Sequence, residues 1–156
     1  MRNAFGAAVF FVCFAHAAIA ADLSPPQRFE IYHGNQLFGF VTVQLVDGEK
    51  LVFTRQGPIS RQQEIIKPSP EAWAHFRKRL DQLKVWKWKK NYSNSMTVKD
   101  GTQWRVLVTY KDKALDSSGS NAYPLPSGTS NNSIEASQHF RAFRKDVQDL
   151  IGRELR

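Results

Sequence analysis

The alternation of apolar and polar residues predicts several strands in the first half of the chain. The predicted strands cover residues 29–33, 38–46, 51–54 and 59–66. Asp47-Gly48 separates the second strand from the third, and this pair is typical of a tight hairpin turn because both residues accept a positive φ. Gly57-Pro58 interrupts the pattern before the fourth strand.

Two later segments have the spacing of three and four between apolar residues that predicts a helix. The first begins near Ser69, a suitable N-cap, with Pro70 at the first helical position. Its apolar face consists of Trp73, Phe76, Leu80 and Leu83. The second is expected from about Ile134, with Asn132 as its cap and Glu135 three residues further on. Its apolar stripe consists of Phe140, Phe143, Val147, Leu150 and Ile151.

The chain between the helices is expected to return to the sheet. Residues 85–89, Val-Trp-Lys-Trp-Lys, have a period of two and predict a strand, as do residues 104–110 and 113–115. Residues 116–133 are mostly Ser, Gly, Asn and Pro, which predicts a long loop. The order of the elements indicates a single small α+β domain at residues 27–156, with a largely antiparallel sheet and two helices packed on one face.

The first twenty residues predict a signal peptide. Arg2 precedes an uncharged apolar run, and residues 18–20, Ala-Ile-Ala, match the site that a signal peptidase cleaves. Residues 21–26 then form a short tail, and the protein is expected to be exported, to the periplasm or outside the cell. A retained membrane anchor is the alternative, although the apolar run of residues 4–21 is short for a span. Cys13 is the only cysteine, so the mature chain is expected to have no disulfide and no thiol site.

The positive charge is concentrated in one region. The whole chain carries a net charge of +8, and residues 75–113 contain eleven Lys or Arg against three Asp. All the tryptophans lie in or beside this region, at Trp73, Trp86, Trp88 and Trp104. This coincidence predicts a surface for an anionic partner: an anionic surface, an acidic polysaccharide or an acidic protein.

The tryptophans of residues 85–89 admit two interpretations. On a strand, Trp86 and Trp88 share one face and Lys87 and Lys89 the other. The large apolar area of the indoles favours burial, which leaves the lysines and Arg105 as a cationic stripe on the outer sheet face. The alternative exposes both indoles as a stacking platform for sugar rings or bases. The candidate binding residues, which include the following loop, are Trp86, Lys87, Trp88, Lys89, Arg105, Ser118, Asn121 and Tyr123.

The sequence contains no catalytic or metal-binding motif that stands on its own. His33, His75 and His139 lack the spacing that places two imidazoles on one helix face, so they are interpreted as surface or capping residues. Neither G-x-S-x-G nor S-x-x-K is present. We therefore assign no catalytic residue, no metal and no cofactor.

Three motifs remain: W-x-W at residues 86–88, D-G-x-x-W at residues 100–104 and S-x-G-x-N-x-Y-P at residues 117–124. Together with the last helix they resemble a group of small uncharacterised proteins, over residues 59–152. The resemblance implies a shared fold and carries no activity across.

Turn chemistry offers a structural explanation for the last motif. Gly119 is expected to adopt a positive φ, Asn121 to bond to the backbone of its turn, and Tyr123 to pin the loop to the sheet. A recognition loop at residues 118–123 is the alternative.

Taken together, the sequence predicts an exported, non-enzymatic binding domain, monomeric, whose basic half at residues 75–113 faces an anionic partner. One alternative is an inhibitor-like protein that presents the loop of residues 116–130 to another protein. The other is a small hydrolase whose site is assembled from distant residues.

Overall fold

The computed structural model describes residues 24–94, 101–131 and 133–155, and its strands lie side by side in one sheet. The strands are β1 (Arg28–Asn35), β2 (Gly39–Val46), β3 (Lys50–Gln56), β4 (Arg61–Ile66), β5 (Asn91–Ser93), β6 (Gln103–Thr109) and β7 (Ala114–Ser120). Their order across the sheet is β4-β3-β2-β1-β6-β7-β5, and every neighbouring pair is antiparallel except β5 with β7. The helices are α1 (Pro70–Gln82) and α2 (Gln138–Ile151). The predicted single α+β domain is confirmed.

One face of the sheet carries the core. Cross-strand partners point to the same side of a sheet, so the buried partners of the central strands define an inner face. Its apolar residues are Phe29, Ile31, Val41, Val43, Leu51, Phe53, Trp104, Val106, Val108 and Leu115. From α1, Trp73 meets Phe29 edge-on with the ring centroids 5.7 Å apart. From α2, Phe140 lies 4.7 Å from Trp104 between centroids. Both helices therefore pack on this inner face, as predicted.

Helix α1 begins where the sequence predicts. The Ser69 hydroxyl accepts a hydrogen bond from the backbone N–H of Ala72, at 3.2 Å, and Pro70 is the first helical residue. The predicted β2–β3 hairpin also forms, since Asp47 and Gly48 both adopt positive φ at the turn.

The predicted start of α2 near Ile134 is wrong. Ser137 is the N-cap: its hydroxyl accepts from the Phe140 N–H and donates to the Pro124 carbonyl, at 3.0 and 2.6 Å. Ser137 thus caps the helix because its hydrogen bond to the preceding loop holds it in position. Asn132, the predicted cap, lies outside the described residues.

The predicted strand at residues 85–89 is also wrong. Lys84 adopts the left-handed conformation (φ 54°) just after α1, and Val85–Lys87 form a single 3-10 turn. Sheet pairing on this side begins only at β5. Lys87 and Lys89 therefore do not share a sheet face with Arg105, and the predicted cationic stripe does not form.

The predicted loop at residues 116–133 begins later than expected. β7 continues to Ser120 and pairs with β6 along its whole length. Two inward-facing positions of β7 have small side chains because large core residues pack against them. Ser117 is fully buried, and Gly119 lies against the indole of Trp104. The loop starts at residue 121.

The predicted signal peptide, residues 1–20, lies outside the described residues, as does Cys13. Of the predicted tail at residues 21–26, only residues 24–26 are described, and they form no regular element. Neither helix in the described ranges has the length and apolarity needed to cross a bilayer.

Candidate functional site

Trp88 anchors the basic segment in the core. Its side chain is 8 % exposed and packs edge-on against Phe143, with ring centroids 5.2 Å apart. Its indole N–H points to Nε2 of His139 on α2, at 3.3 Å. Burial lowers the pKa of His139, which keeps this ring neutral and able to accept the bond. The Trp88 ring is therefore part of the core, and it offers no stacking platform.

Trp86, unlike Trp88, lies in a cluster of charged residues. The guanidinium of Arg77 lies between the rings of Trp86 and Tyr110, at 5.0 and 4.3 Å from their centroids. Arg77 also binds Asp112 through two hydrogen bonds, of 2.7 and 3.1 Å. The half-buried Trp86 ring is thus covered by a cation on one side, and its N–H donates to Asp81 at 2.6 Å.

Asp81 neutralises much of the positive charge in this cluster. It accepts hydrogen bonds from Trp86 and, at 2.8 Å, from Lys113. Burial raises the pKa of Asp81, but these two hydrogen bonds and the charge of Arg77 outweigh burial and hold the pKa below its usual value. Arg77 and Lys113 are therefore ion-paired and do not form a free cationic surface.

Trp104, Asn121 and Tyr123 form the turn after β7. The Trp104 side chain is 2 % exposed, its N–H donates to the Ala122 carbonyl at 2.9 Å, and the Tyr123 ring stacks on it. Asn121 accepts the Thr102 N–H at 2.9 Å and adopts a positive φ of 48°. The positive φ predicted for Gly119 is therefore found at Asn121, because Gly119 is still in the extended strand.

The buried state of these side chains limits what they can bind. Among the candidate residues, Trp88, Asn121 and Tyr123 are buried, and each is held by contacts within the domain. Arg105 is half exposed on the outer sheet face and lies 3.4 Å from Asp116. Ser118 is bonded to Asn91 at 3.0 Å. Only Lys87 and Lys89 among the candidates combine an exposed side chain with a charge that has no ion pair in the described chain.

The exposed lysines of this segment form one group, which we call the lysine rim: Lys84, Lys87, Lys89 and Lys90. None has a carboxylate within ion-pair distance in residues 24–94, 101–131 or 133–155. In contrast, the paired cations of the basic region are Arg77, Arg79, Arg105 and Lys113. The rim thus holds four of the six cations of the region that have no ion pair in the described residues, and the other two are Lys78 and Lys111.

The backbone of the rim is held firmly. The Lys89 N–H donates to the Tyr92 hydroxyl at 2.9 Å, and the Lys89 carbonyl accepts from Ser117 Oγ at 2.7 Å. The Lys90 carbonyl accepts the Ser118 N–H at 2.9 Å. These bonds and the buried Trp88 ring fix the positions from which the lysine side chains extend. Sequence reasoning missed Lys84 and Lys90 because the assumed strand covered only residues 85–89.

The loop that follows β7 packs closely on the domain. Tyr123 and Asn131 are joined by backbone and side-chain hydrogen bonds of 3.1 Å, and Gly128 is buried against the Lys87 carbonyl. The exposed residues at its tip are Pro126, Ser127 and Thr129. The predicted presentation of this loop to a partner protein stays a prediction.

The three histidines occupy different surroundings. His75 is exposed, as expected for a surface residue, and His139 is half buried beside Trp88. His33 is not the surface residue expected, since it lies beneath α2 with its ring 6.4 Å from Phe140. Burial, followed by the charge of Arg144, lowers its pKa to about 4. No group of three His, Asp or Glu side chains suited to a metal occurs in the part of the chain that the structure describes.

No protein-family model matches this chain, and no curated protein matches it significantly.

Proposed function

We propose that the protein is an exported, non-enzymatic binding domain whose lysine rim contacts an anionic partner. The observation that carries this proposal is the group of four exposed lysines, Lys84, Lys87, Lys89 and Lys90, without carboxylate partners in the described chain. The proposed export rests on the leader pattern at residues 1–20.

The arrangement of the rim favours association through charge. Four like charges within seven residues create a positive potential that attracts polyanions and speeds their encounter. The backbone of Lys89 and Lys90 is already held by hydrogen bonds in the free protein. Binding therefore has to order little more than the lysine side chains, which lowers the entropic cost of binding. The buried Trp88 then has a structural role: it holds the rim against the core.

An acidic polysaccharide is the partner that this surface fits best. Such a chain presents repeated negative charges along a flexible backbone, so it can contact several lysines at once without a shaped pocket. Binding of this kind releases counterions from the polyanion, and its affinity therefore falls steeply as the salt concentration rises.

The test compares two charge-matched variants of the protein expressed from its complete sequence. One changes all four rim lysines to Gln. The control changes four exposed cations outside the rim that have no ion pair within the described residues: Arg28, Arg61, Lys78 and Lys111. Heparin binding is measured by calorimetry between 50 and 300 mM salt. The mass of the purified protein shows whether residues 1–20 have been removed.

We expect the rim variant to lose at least tenfold in affinity and to show a shallower dependence on salt. The control variant, which loses the same net charge, should lose no more than about threefold. An equal loss in both variants would mean that net charge alone attracts heparin, and the rim would then have no special role. Binding that does not change with salt would instead favour the loop of residues 116–130.

A further inference from the structure

A cavity of about 240 Å³ lies where the two helices leave the inner sheet face uncovered. Three cross-strand partners on neighbouring strands form its floor: His33 of β1, Val41 of β2 and Arg55 of β3. Arg144 of α2 and the buried Leu155, which follows α2, close it on the helix side. The cavity is separate from the lysine rim, since no rim residue lines it.

The mouth of the cavity is aromatic. The β1–β2 turn contributes Phe38, whose side chain is 83 % exposed. The turn is fixed in shape: the Phe38 N–H donates to Asn35 Oδ1 at 2.8 Å, and a Cβ at Gly39 would lie 2.1 Å from the Gln56 carbonyl oxygen. An exposed phenylalanine on a rigid turn beside a cavity provides an apolar contact surface for a ligand.

The interior of the cavity is positively charged. Arg55 and Arg144 line it, and none of its described lining residues is an Asp or Glu. Arg55 donates to the Glu154 carbonyl at 2.9 Å, and no carboxylate of the described chain lies within ion-pair distance of it. Partly buried cations in proteins are usually paired with an anion. The depressed pKa of His33 agrees with a positive potential here, because Arg144 contributes to it after burial.

We propose that this cavity binds a small amphipathic carboxylate. The carboxylate pairs with Arg55, whose planar guanidinium matches it in geometry, and an aromatic or short aliphatic group contacts Phe38. The size agrees: an apolar cavity of roughly 150 Å³ holds benzene, so 240 Å³ accommodates a ring with a short acidic chain.

The geometry supports binding and gives no sign of catalysis by His33. In the described ranges, His33 makes no hydrogen bond to a hydroxyl or carboxylate, so a nucleophile–base pair is not assembled around it. The neutral imidazole is a polar contact for the ligand beside Val41.

The experiment titrates the isotope-labelled protein with 3-phenylpropionate and follows backbone amide shifts. The neutral 3-phenylpropionamide has the same shape without the charge, and inorganic phosphate has charge without the ring. We expect saturable shifts in residues 33–41 and 55, with the carboxylate bound at least tenfold more tightly than either comparison compound. Equal binding of the amide or of phosphate, or the absence of saturable shifts, would overturn the proposal.

Variants locate the site. Arg55→Gln should weaken 3-phenylpropionate binding at least tenfold, whereas Arg61→Gln, which removes one charge from the exposed strand β4, should leave it unchanged. Phe38→Ala should weaken binding about threefold or more, and its exposed ring makes this variant safe for folding if Arg55→Gln is not. An equal loss in Arg55→Gln and Arg61→Gln, or full affinity in Phe38→Ala, would contradict the assignment.

Discussion

Replacement of Gly119 by alanine tests why a glycine stands in the middle of β7. A Cβ at this position would lie 2.5–2.6 Å from Nε1, Cε2 and Cζ2 of the Trp104 indole, where ordinary contacts begin at 3.4 Å. Gly119 is extended, so its backbone conformation does not require glycine. The cost of Gly119→Ala must therefore come from contact with Trp104.

The magnitude follows from how tightly the indole is held. To restore an ordinary contact the ring must move by about 1 Å, yet it is 2 % exposed and packs against Phe140 and Tyr92. Its hydrogen bond to the Ala122 carbonyl would also lengthen. Overpacking of this kind costs about 1–3 kcal/mol. For a domain of this size we expect the melting temperature to fall by roughly 4–12 °C.

A double-mutant cycle in urea, followed by far-ultraviolet circular dichroism, isolates this contact. Trp104→Phe removes the Nε1 and Cζ2 atoms, so Gly119→Ala should cost at least 1 kcal/mol less in that background. Gly48→Ala is the matched control: Gly48 has a positive φ of 73° and no atom within 4 Å of a Cβ. Its cost is conformational and should not depend on Trp104.

Two results would refute the reasoning about Gly119. One is a Gly119→Ala protein with unchanged stability. The other is strict additivity with Trp104→Phe, which would show that the indole is not the source of the cost.

Two further predictions concern buried charge and pH. Arg79→Met removes the ion-pair partner that lies 2.9 Å from Asp146, whose side chain is 7 % exposed, and should lower the unfolding free energy by about 2–3 kcal/mol. Adding Asp146→Leu to this variant removes the unpaired charge and should restore most of the lost stability. If urea unfolding shows no restoration, the prediction is wrong. His33 has a folded pKa of about 4 against 6.5, so the unfolded chain binds more protons between these values. Stability should therefore decrease as the pH is lowered from 6.5 towards 4, by up to about 1.4 kcal/mol per pH unit. His33→Gln should remove most of this dependence of the unfolding free energy on pH, and the remainder is due to His139. An unchanged dependence would show that the fold does not resist protonation of His33.

Sequence patterns predicted correctly those caps and turns that depend only on residues close together in the chain. Ser69 caps α1 and Asp47-Gly48 forms the β2–β3 turn because each needs only its near neighbours in the sequence. The α+β class followed from the order of these elements. The start of α2 was not predictable in this way, since Ser137 is selected by a hydrogen bond to Pro124, in a different segment.

The basic segment shows where periodicity misleads. Residues 85–89 alternate as a strand would, but the left-handed Lys84 turns the chain, and Val85 and Trp88 enter the core. The lysines remain exposed in both arrangements, so the prediction of a cationic surface did not depend on the strand. The ion pairs across this region were not predictable, because Arg77 meets Asp112 and Lys113 meets Asp81 only in the folded chain.

The cavity could not be inferred from the sequence, because its residues come together through sheet register. His33, Val41 and Arg55 belong to three strands, and each looks like an ordinary strand residue in isolation. An arginine at an inward position of β3 was the one available signal, since charged residues are rare in cores.

The two proposed surfaces share no residue, and this allows each to be tested against the other. Loss of the lysine rim should weaken the salt-dependent binding of heparin at least tenfold and leave the affinity for 3-phenylpropionate unchanged, because the rim lies outside the cavity. Arg55→Gln should do the reverse. If a rim variant weakened both ligands while the protein remained folded, the small carboxylate would have to bind at the rim as one more anion. Only opposite responses in the two variants support two separate sites.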